Sequence, residues 1–152
     1  MVNICFLDTS AVVKRYIDEV GSAWIHGITA SEMITVSRIT WVEVLSAFSR
    51  LKREGKTDPG DILTAIRIFQ YDWETLYRIV EIDLNVIEKA GQLVQKHPLR
   101  AYDSIQLASA LGLHLFFSQA DPKIFTFVSA DNRLINAARD EGMSTDNPNN
   151  HP

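Results

Sequence analysis

Short, apolar, β-rich runs alternate with longer helical patterns along the whole chain, and this alternation settles the fold class before any single residue is weighed. Residues 2–7, 33–37, 77–82 and 124–129 each read as a strand, with apolar residues dense enough for burial on both faces in the first and last. Helical segments separate each strand from the next, so the strands should run parallel, joined by crossovers on both faces of one sheet. The expectation is an α/β chain with a mainly parallel sheet. Val12, Val13, Tyr16 and Ile17 predict a helix over 10–19, followed by a short helix over 22–30. Residues 41–54 form the next. Asp58-Pro59 starts another, whose stripe of Ile62, Leu63, Ile66, Phe69 and Trp73 faces inward. Phe69, Tyr71, Trp73 and Tyr77 are expected to fill the core, with a partner surface as the alternative for some of them. Asp83 reads as the cap of a helix over 84–96 that stops at His97-Pro98.

Four carboxylates stand where a charge needs a reason. Asp103 opens a helix that is Ala-rich and apolar from Ser104 to Leu115 except at Gln106 and His114. The helix dipole favours a negative charge there by about 0.3 to 1 kcal/mol, less than the cost of burying one, so a cation is the expected partner. Asp8 ends the first strand, and Asp131 closely follows the run 124–129. In open α/β sheets ligands gather outside the carboxyl ends of the strands. Glu43 lies in the first turn of the helix after the second strand. Thr40-Trp41-Val42-Glu43 also fits a capping box, in which the glutamate returns to the cap backbone, and from these residues alone the two readings stand level. The four acids are expected to converge on one cleft.

The segments Phe6-Leu7-Asp8-Thr9-Ser10-Ala11, Thr40-Trp41-Val42-Glu43-Val44, Ala101-Tyr102-Asp103-Ser104-Ile105-Gln106-Leu107-Ala108 and Val128-Ser129-Ala130-Asp131-Asn132-Arg133-Leu134 occur in that order. Together they resemble the PIN domain, and within that family the VapC-type toxins of toxin–antitoxin pairs. The resemblance implies a PIN-like three-layer sandwich with four to five strands, and a metal-dependent endoribonuclease acting as a toxin. Carried over residue by residue, Asp8, Glu43, Asp103 and Asp131 form an acidic metal site, with Ser129 as its accompanying hydroxyl. All-oxygen coordination suits Mg²⁺ or Mn²⁺. Asp8 and Asp103 are assigned as direct ligands, Glu43 and Asp131 as acting through water or a second ion, and Ser129 or Ser10 as orienting an acid or water. The resemblance further implies products with a 5′-phosphate and a 3′-hydroxyl, a homodimer, and a small antitoxin protein that blocks the cleft, for instance with an inserted arginine. Two other readings compete: a PIN-fold binding module without turnover, and a phosphatase of the haloacid-dehalogenase type. The latter needs a second aspartate two residues after the first, where this chain has Ser10.

Composition narrows the remaining classes. At 152 residues, 1–142 are read as one nuclease domain, and 143–152, rich in Asn, Asp and Pro, as a disordered tail in which Asp146 has no role. No apolar run approaches the roughly 20 residues that span a bilayer, and the chain is expected to be cytoplasmic without a membrane partner. The single cysteine, Cys5, excludes an internal disulfide. His26, His97, His114 and His151 lack zinc-ligand spacing and read as surface or packing residues. The net charge of −4 argues against a large nucleic-acid footprint, yet the four site acids account for it, leaving a balanced surface. Arg50, Lys52, Arg53 and Lys56 form a candidate basic patch for an RNA substrate, although such a cluster also suits the end of a solvated helix.

Overall fold

Strand β1 (Ile4–Leu7) is the axis of the molecule in the computed structural model, which describes residues 2–152. It pairs in parallel with β2 (Met33–Ser37) on one side and β4 (Phe125–Val128) on the other. Strand β3 (Arg78–Val80) extends the sheet beyond β2, and β5 (Ser144–Asp146) extends it beyond β4, both in parallel. The order is therefore β3-β2-β1-β4-β5. The register sets Phe6 opposite Thr35 and Phe127.

All four residues of β1 are buried, because the strand alternates its side chains between two cores. Ile4 and Phe6 pack with Leu93, Leu107, Leu111 and Leu134 under α5 (Leu84–Lys96), α6 (Ala101–Phe117) and α7 (Asn132–Asp140). Cys5 and Leu7 pack with Val12, Ile25, Phe48 and Phe69 under α1 (Thr9–Val13), α2 (Ser22–Ser31), α3 (Thr40–Arg53) and α4 (Pro59–Thr75). Each fully buried aliphatic or aromatic side chain contributes about 1.5 to 3 kcal/mol. The result is the expected three-layer α/β sandwich, with five strands and seven helices among the described residues.

Several elements differ from the sequence expectations. Helix α1 stops at Val13 instead of reaching Glu19. Past it the N–H groups of Lys14, Arg15 and Tyr16 bond three residues back, tightening the turn, while Arg15 Nε and Tyr16 OH both donate to the buried Asp72 at 2.8 and 2.7 Å. Tyr71 is 67% exposed, whereas Phe69, Trp73 and Tyr77 are buried. At 100° per residue Tyr71 lies some 200° from Phe69 on α4, on the opposite face. Strands β1 and β3 are also shorter than the runs that predicted them.

The segment 143–152, expected to be a disordered tail, is ordered. β4 would otherwise present an unpaired row of backbone groups, and residues 144–146 satisfy it as the edge strand β5. A single 3₁₀ turn, Pro148–Asn150, then carries His151 onto Trp24 of α2, the rings stacked at 4.3 Å. The polar composition of this stretch reflects an edge position, not disorder.

Candidate active site

From β1 the sheet builds outward through β2 and β3 on one side and through β4 and β5 on the other, so the winding reverses between β1 and β4. Such a reversal leaves a crevice at the carboxyl ends of the strands. A cleft of about 520 Å³ opens there, and Asp8, Ser10, Glu43, Asp103 and Asp131 all line it. Ser129, the sixth residue expected at the site, is fully buried behind Asp8 and does not line the cleft.

Asp8 caps α1 and is held on both oxygens. Its Oδ1 accepts from Ala11 N at 3.1 Å and Ser10 Oγ at 2.7 Å, and its Oδ2 accepts from Ser129 Oγ at 2.7 Å. The same two hydroxyls accept from the backbone: Ser10 Oγ from Ala130 N at 2.9 Å, Ser129 Oγ from Asp131 N at 3.0 Å. The loop ends after β1 and β4 are thereby fastened to each other. Burial raises the Asp8 pKa to about 6; the bonds from Ser10, Ser129 and Ala11 resist the rise, and the charge of Glu43 adds to it.

Glu43 does not close a capping box. The backbone enters α3 at Ile39 with no side-chain cap, and Glu43 Oε1 accepts instead from Thr9 Oγ1 at 2.9 Å and Gln106 Nε2 at 2.8 Å. Its pKa is raised by burial and by Asp103, against those two donors. Thr9 and Gln106 escaped the sequence reading as site residues. Gln106 did carry a signal: it is polar on a buried stretch of α6, three residues after Asp103, so both lie on one helix face. Its Nε2 also stands 2.9 Å from Thr40 Oγ1, while its Oε1 is buried without a hydrogen-bond partner.

Asp103 sits half-buried in the first turn of α6. Burial raises its pKa, Asp131 adds to the rise, and the Arg100 backbone together with the charges of Arg100 and Arg133 opposes it. Asp131 caps α7 by accepting from Arg133 N at 2.9 Å. Asp83, by contrast, only caps α5, accepting from Val86 N at 2.9 Å, as expected.

Electrostatically the four acids form one run: Asp8 feels Glu43, Glu43 feels Asp103, and Asp103 feels Asp131. An all-oxygen donor set under mutual repulsion suits a hard divalent cation. Among the described residues, however, no three acids, histidines or cysteines are already gathered as ligands. Hydroxyl and amide groups hold Asp8 and Glu43: Ser10, Thr9 and Gln106 from the cleft lining and Ser129 from behind it. The donor chemistry fits the ion; the present side-chain positions do not by themselves enclose it.

Arginines rim the acids. Arg50, Arg100 and Arg133 line the cleft, are exposed, and have no ion-pair partner among the described residues. Of the basic patch expected on α3 and beyond, only Arg50 reaches the cleft; Lys56 pairs with Glu54 at 3.1 Å.

A parallel α/β sandwich with an acid-lined cleft at its switch point belongs to the class of α/β proteins that bind a ligand outside the carboxyl ends of their strands. The family model described as PIN domain matches residues 5–139, and the chain belongs to the PIN-domain family. It is 31% identical over 114 residues to ribonuclease VapC45 of Mycobacterium tuberculosis, covering 72% of this chain and 76% of that protein. Solved structures that share its fold include the following two. VapBC2 from Rickettsia felis, bound to a DNA fragment from its promoter, has a TM-score of 0.61 at 13% identity, covering 95% of this chain and 98% of that one. PAE2754 from Pyrobaculum aerophilum has a TM-score of 0.62 at 16% identity, covering 95% and 89%.

Proposed function

We propose that this chain is a Mg²⁺- or Mn²⁺-dependent endoribonuclease and the toxin of a toxin–antitoxin pair. The observation that carries the reading is the run of four carboxylates along one cleft wall, each feeling the next, at the switch point of a sheet whose family includes ribonucleases VapC. Asp8 and Asp103 would hold the ion directly, with Glu43 and Asp131 binding through water or a second ion. When bound, such an ion supplies Lewis-acid stabilisation of the charge that develops on a phosphodiester and its leaving oxygen.

The protein's own groups do the rest. Ser10, Ser129 and Ala11 N fix both oxygens of Asp8, so its carboxylate is oriented before substrate arrives. Thr9 and Gln106 occupy Glu43 Oε1, which leaves Oε2 to accept a proton from the attacking water. The raised pKa of Glu43 makes it a better base than an ordinary exposed glutamate. Arg50, Arg100 and Arg133 offset the charge of approaching phosphates. A small antitoxin protein covering the cleft, and association of the chain into a homodimer, complete the proposal. No described helix is long and apolar enough to cross a membrane.

The test is cleavage of structured RNA by purified protein with Mn²⁺. Asp103→Asn should abolish cutting while circular dichroism stays unchanged. Undiminished cutting by that variant removes the assignment, and RNA binding without any cutting by the natural chain favours a binding module.

A further inference from the structure

A second trough adjoins the acidic cleft. It is lined by Ile39, Val42, Ser46, Arg50 and Tyr102 and shares Thr9, Glu43, Ala47, Arg50 and Tyr102 with the cleft, so the two form one continuous groove across α3. The acids lie in the first part, and past Glu43 the wall becomes apolar and cationic. Val42 is 59% exposed and Tyr102 40% exposed.

We infer that this trough is a nucleotide subsite that holds the residue flanking the scissile phosphate of a single-stranded RNA, its base against Tyr102 and its phosphate against Arg50. This deepens the ribonuclease reading and rests on it.

Three observations favour that occupant. Tyr102 has no aromatic partner among the described residues, whereas Phe69, Trp41, Trp73 and Tyr77 pack their rings against one another in the core. Its hydroxyl accepts from Arg100 Nη1 at 2.7 Å, which fixes the ring by its edge, and among the described residues no cation sits over its face. A base needs a fixed, uncovered π-face. Arg50 supplies a cation shared by both cavities, with no carboxylate paired to it among the described residues. A phosphate is the complementary group for an unpaired guanidinium at a groove that has just passed through carboxylates. Neither contact reads a base edge, so the subsite grips any single-stranded nucleotide. It would admit a looped or unpaired segment in preference to a duplex, whose bases are already stacked.

Fluorescence anisotropy with a labelled RNA hexamer whose 3′-bridging oxygens are replaced by methylene groups, leaving P–C bonds that hydrolysis does not break, tests this in Mg²⁺ with the intact chain. Tyr102→Ala should weaken binding about tenfold, with Tyr102→Phe within about twofold of the natural chain, since stacking needs the ring alone. Arg50→Ala should reduce the slope of log affinity against log salt by about 0.7, the share of one phosphate contact on a single strand. Arg67→Ala, which removes an exposed arginine of α4 outside both cavities, controls for general charge and should leave affinity within about twofold. If the natural chain cuts RNA yet Tyr102→Ala and Arg50→Ala bind the hexamer as it does, the subsite is refuted and the nuclease reading stands. Variants that lose only a protein partner, with hexamer affinity intact, also refute it and assign the trough to that partner. Failure of the natural chain to bind or cut any RNA refutes both.

Discussion

Ser129 Oγ donates to Asp8 Oδ2 at 2.7 Å, and it does so from the end of β4 to the end of β1, two segments that meet only in the folded sheet. The bond stabilises the ionised form of a carboxylate that burial pushes the other way. A serine two residues before Asp131 thus acts on Asp8, while its own Oγ accepts the Asp131 amide.

Removing that hydroxyl should therefore move a titration. Ser129→Ala withdraws a donor from charged Asp8, so the pKa of Asp8 rises above about 6 in the metal-free protein. Carbon-detected NMR of the side-chain carboxyl reads this directly in EDTA. A pKa unchanged or lowered in the variant would show that Ser129 does not sustain the charge.

The same burial makes ionised Asp8 a cost to the fold. Its folded pKa lies above its unfolded value, so the folded state holds the proton more tightly, and stability declines as pH rises from about 4 to about 6. Asp8→Asn carries no such charge; its amide oxygen can keep the bonds from Ser10 and Ala11 N, and the Ser129 hydroxyl can turn to accept from the amide nitrogen. At pH 7 in EDTA the variant should exceed the natural chain in unfolding free energy by up to roughly 3 kcal/mol, and at pH 4 the difference should shrink toward zero. Urea unfolding at the two pH values measures it. Added Mn²⁺ should raise the midpoint of the natural chain and leave Asp8→Asn nearly unmoved.

Gln106 separates activity from stability. Its Nε2 supports Glu43, Thr9 and Thr40, yet its buried Oε1 lacks a partner, a defect that costs about 1 to 3 kcal/mol. Gln106→Leu keeps much of the volume, loses the bonds, and also removes the unpaired oxygen. Unfolding free energy should stay within about 1 kcal/mol while kcat falls tenfold or more, because Glu43 keeps only Thr9 as a donor. A variant as active as the natural chain would show that Gln106 does not position Glu43.

Asp8, Asp103 and Asp131 were legible because each breaks a local rule: a charge at the end of a buried strand, or at the head of an apolar helix. The sheet was legible for the related reason that doubly buried strands leave no polar alternation. Glu43 was ambiguous because a capping glutamate and a site glutamate share one local pattern, and only the placement of Thr9 and Gln106 against it decides between them. Gln106 itself depends on three segments distant in the chain. Tyr71 is exposed while its aromatic neighbours are buried because helical phase, not aromatic character, decides which face of α4 a residue takes. The tail was misread because polarity signals solvent contact, and an edge strand has as much of that as a disordered end.

The tail offers the sharpest contrast between two neighbouring glycines of one helix region. Gly21 precedes α2 at φ 87°, and a Cβ there would lie 2.4 Å from the Pro148 carbonyl oxygen, backbone that cannot swing aside. Gly27 lies within α2, where an added Cβ meets nothing within 4 Å. Gly21→Ala should cost on the order of 2 to 3 kcal/mol through left-handed strain and displacement of the tail, lowering the melting temperature by roughly 5 to 10 °C. Gly27→Ala should raise it slightly, since alanine is favoured over glycine in a helix by about 1 kcal/mol. The consequence reaches the site, because Ser129 N donates to Asp146 O at 3.2 Å, and unseating β5 loosens the residue that holds Asp8. Hydrogen exchange at Ser129 N should therefore quicken in Gly21→Ala and not in Gly27→Ala, and equal protection in both would show that the tail does not brace the site.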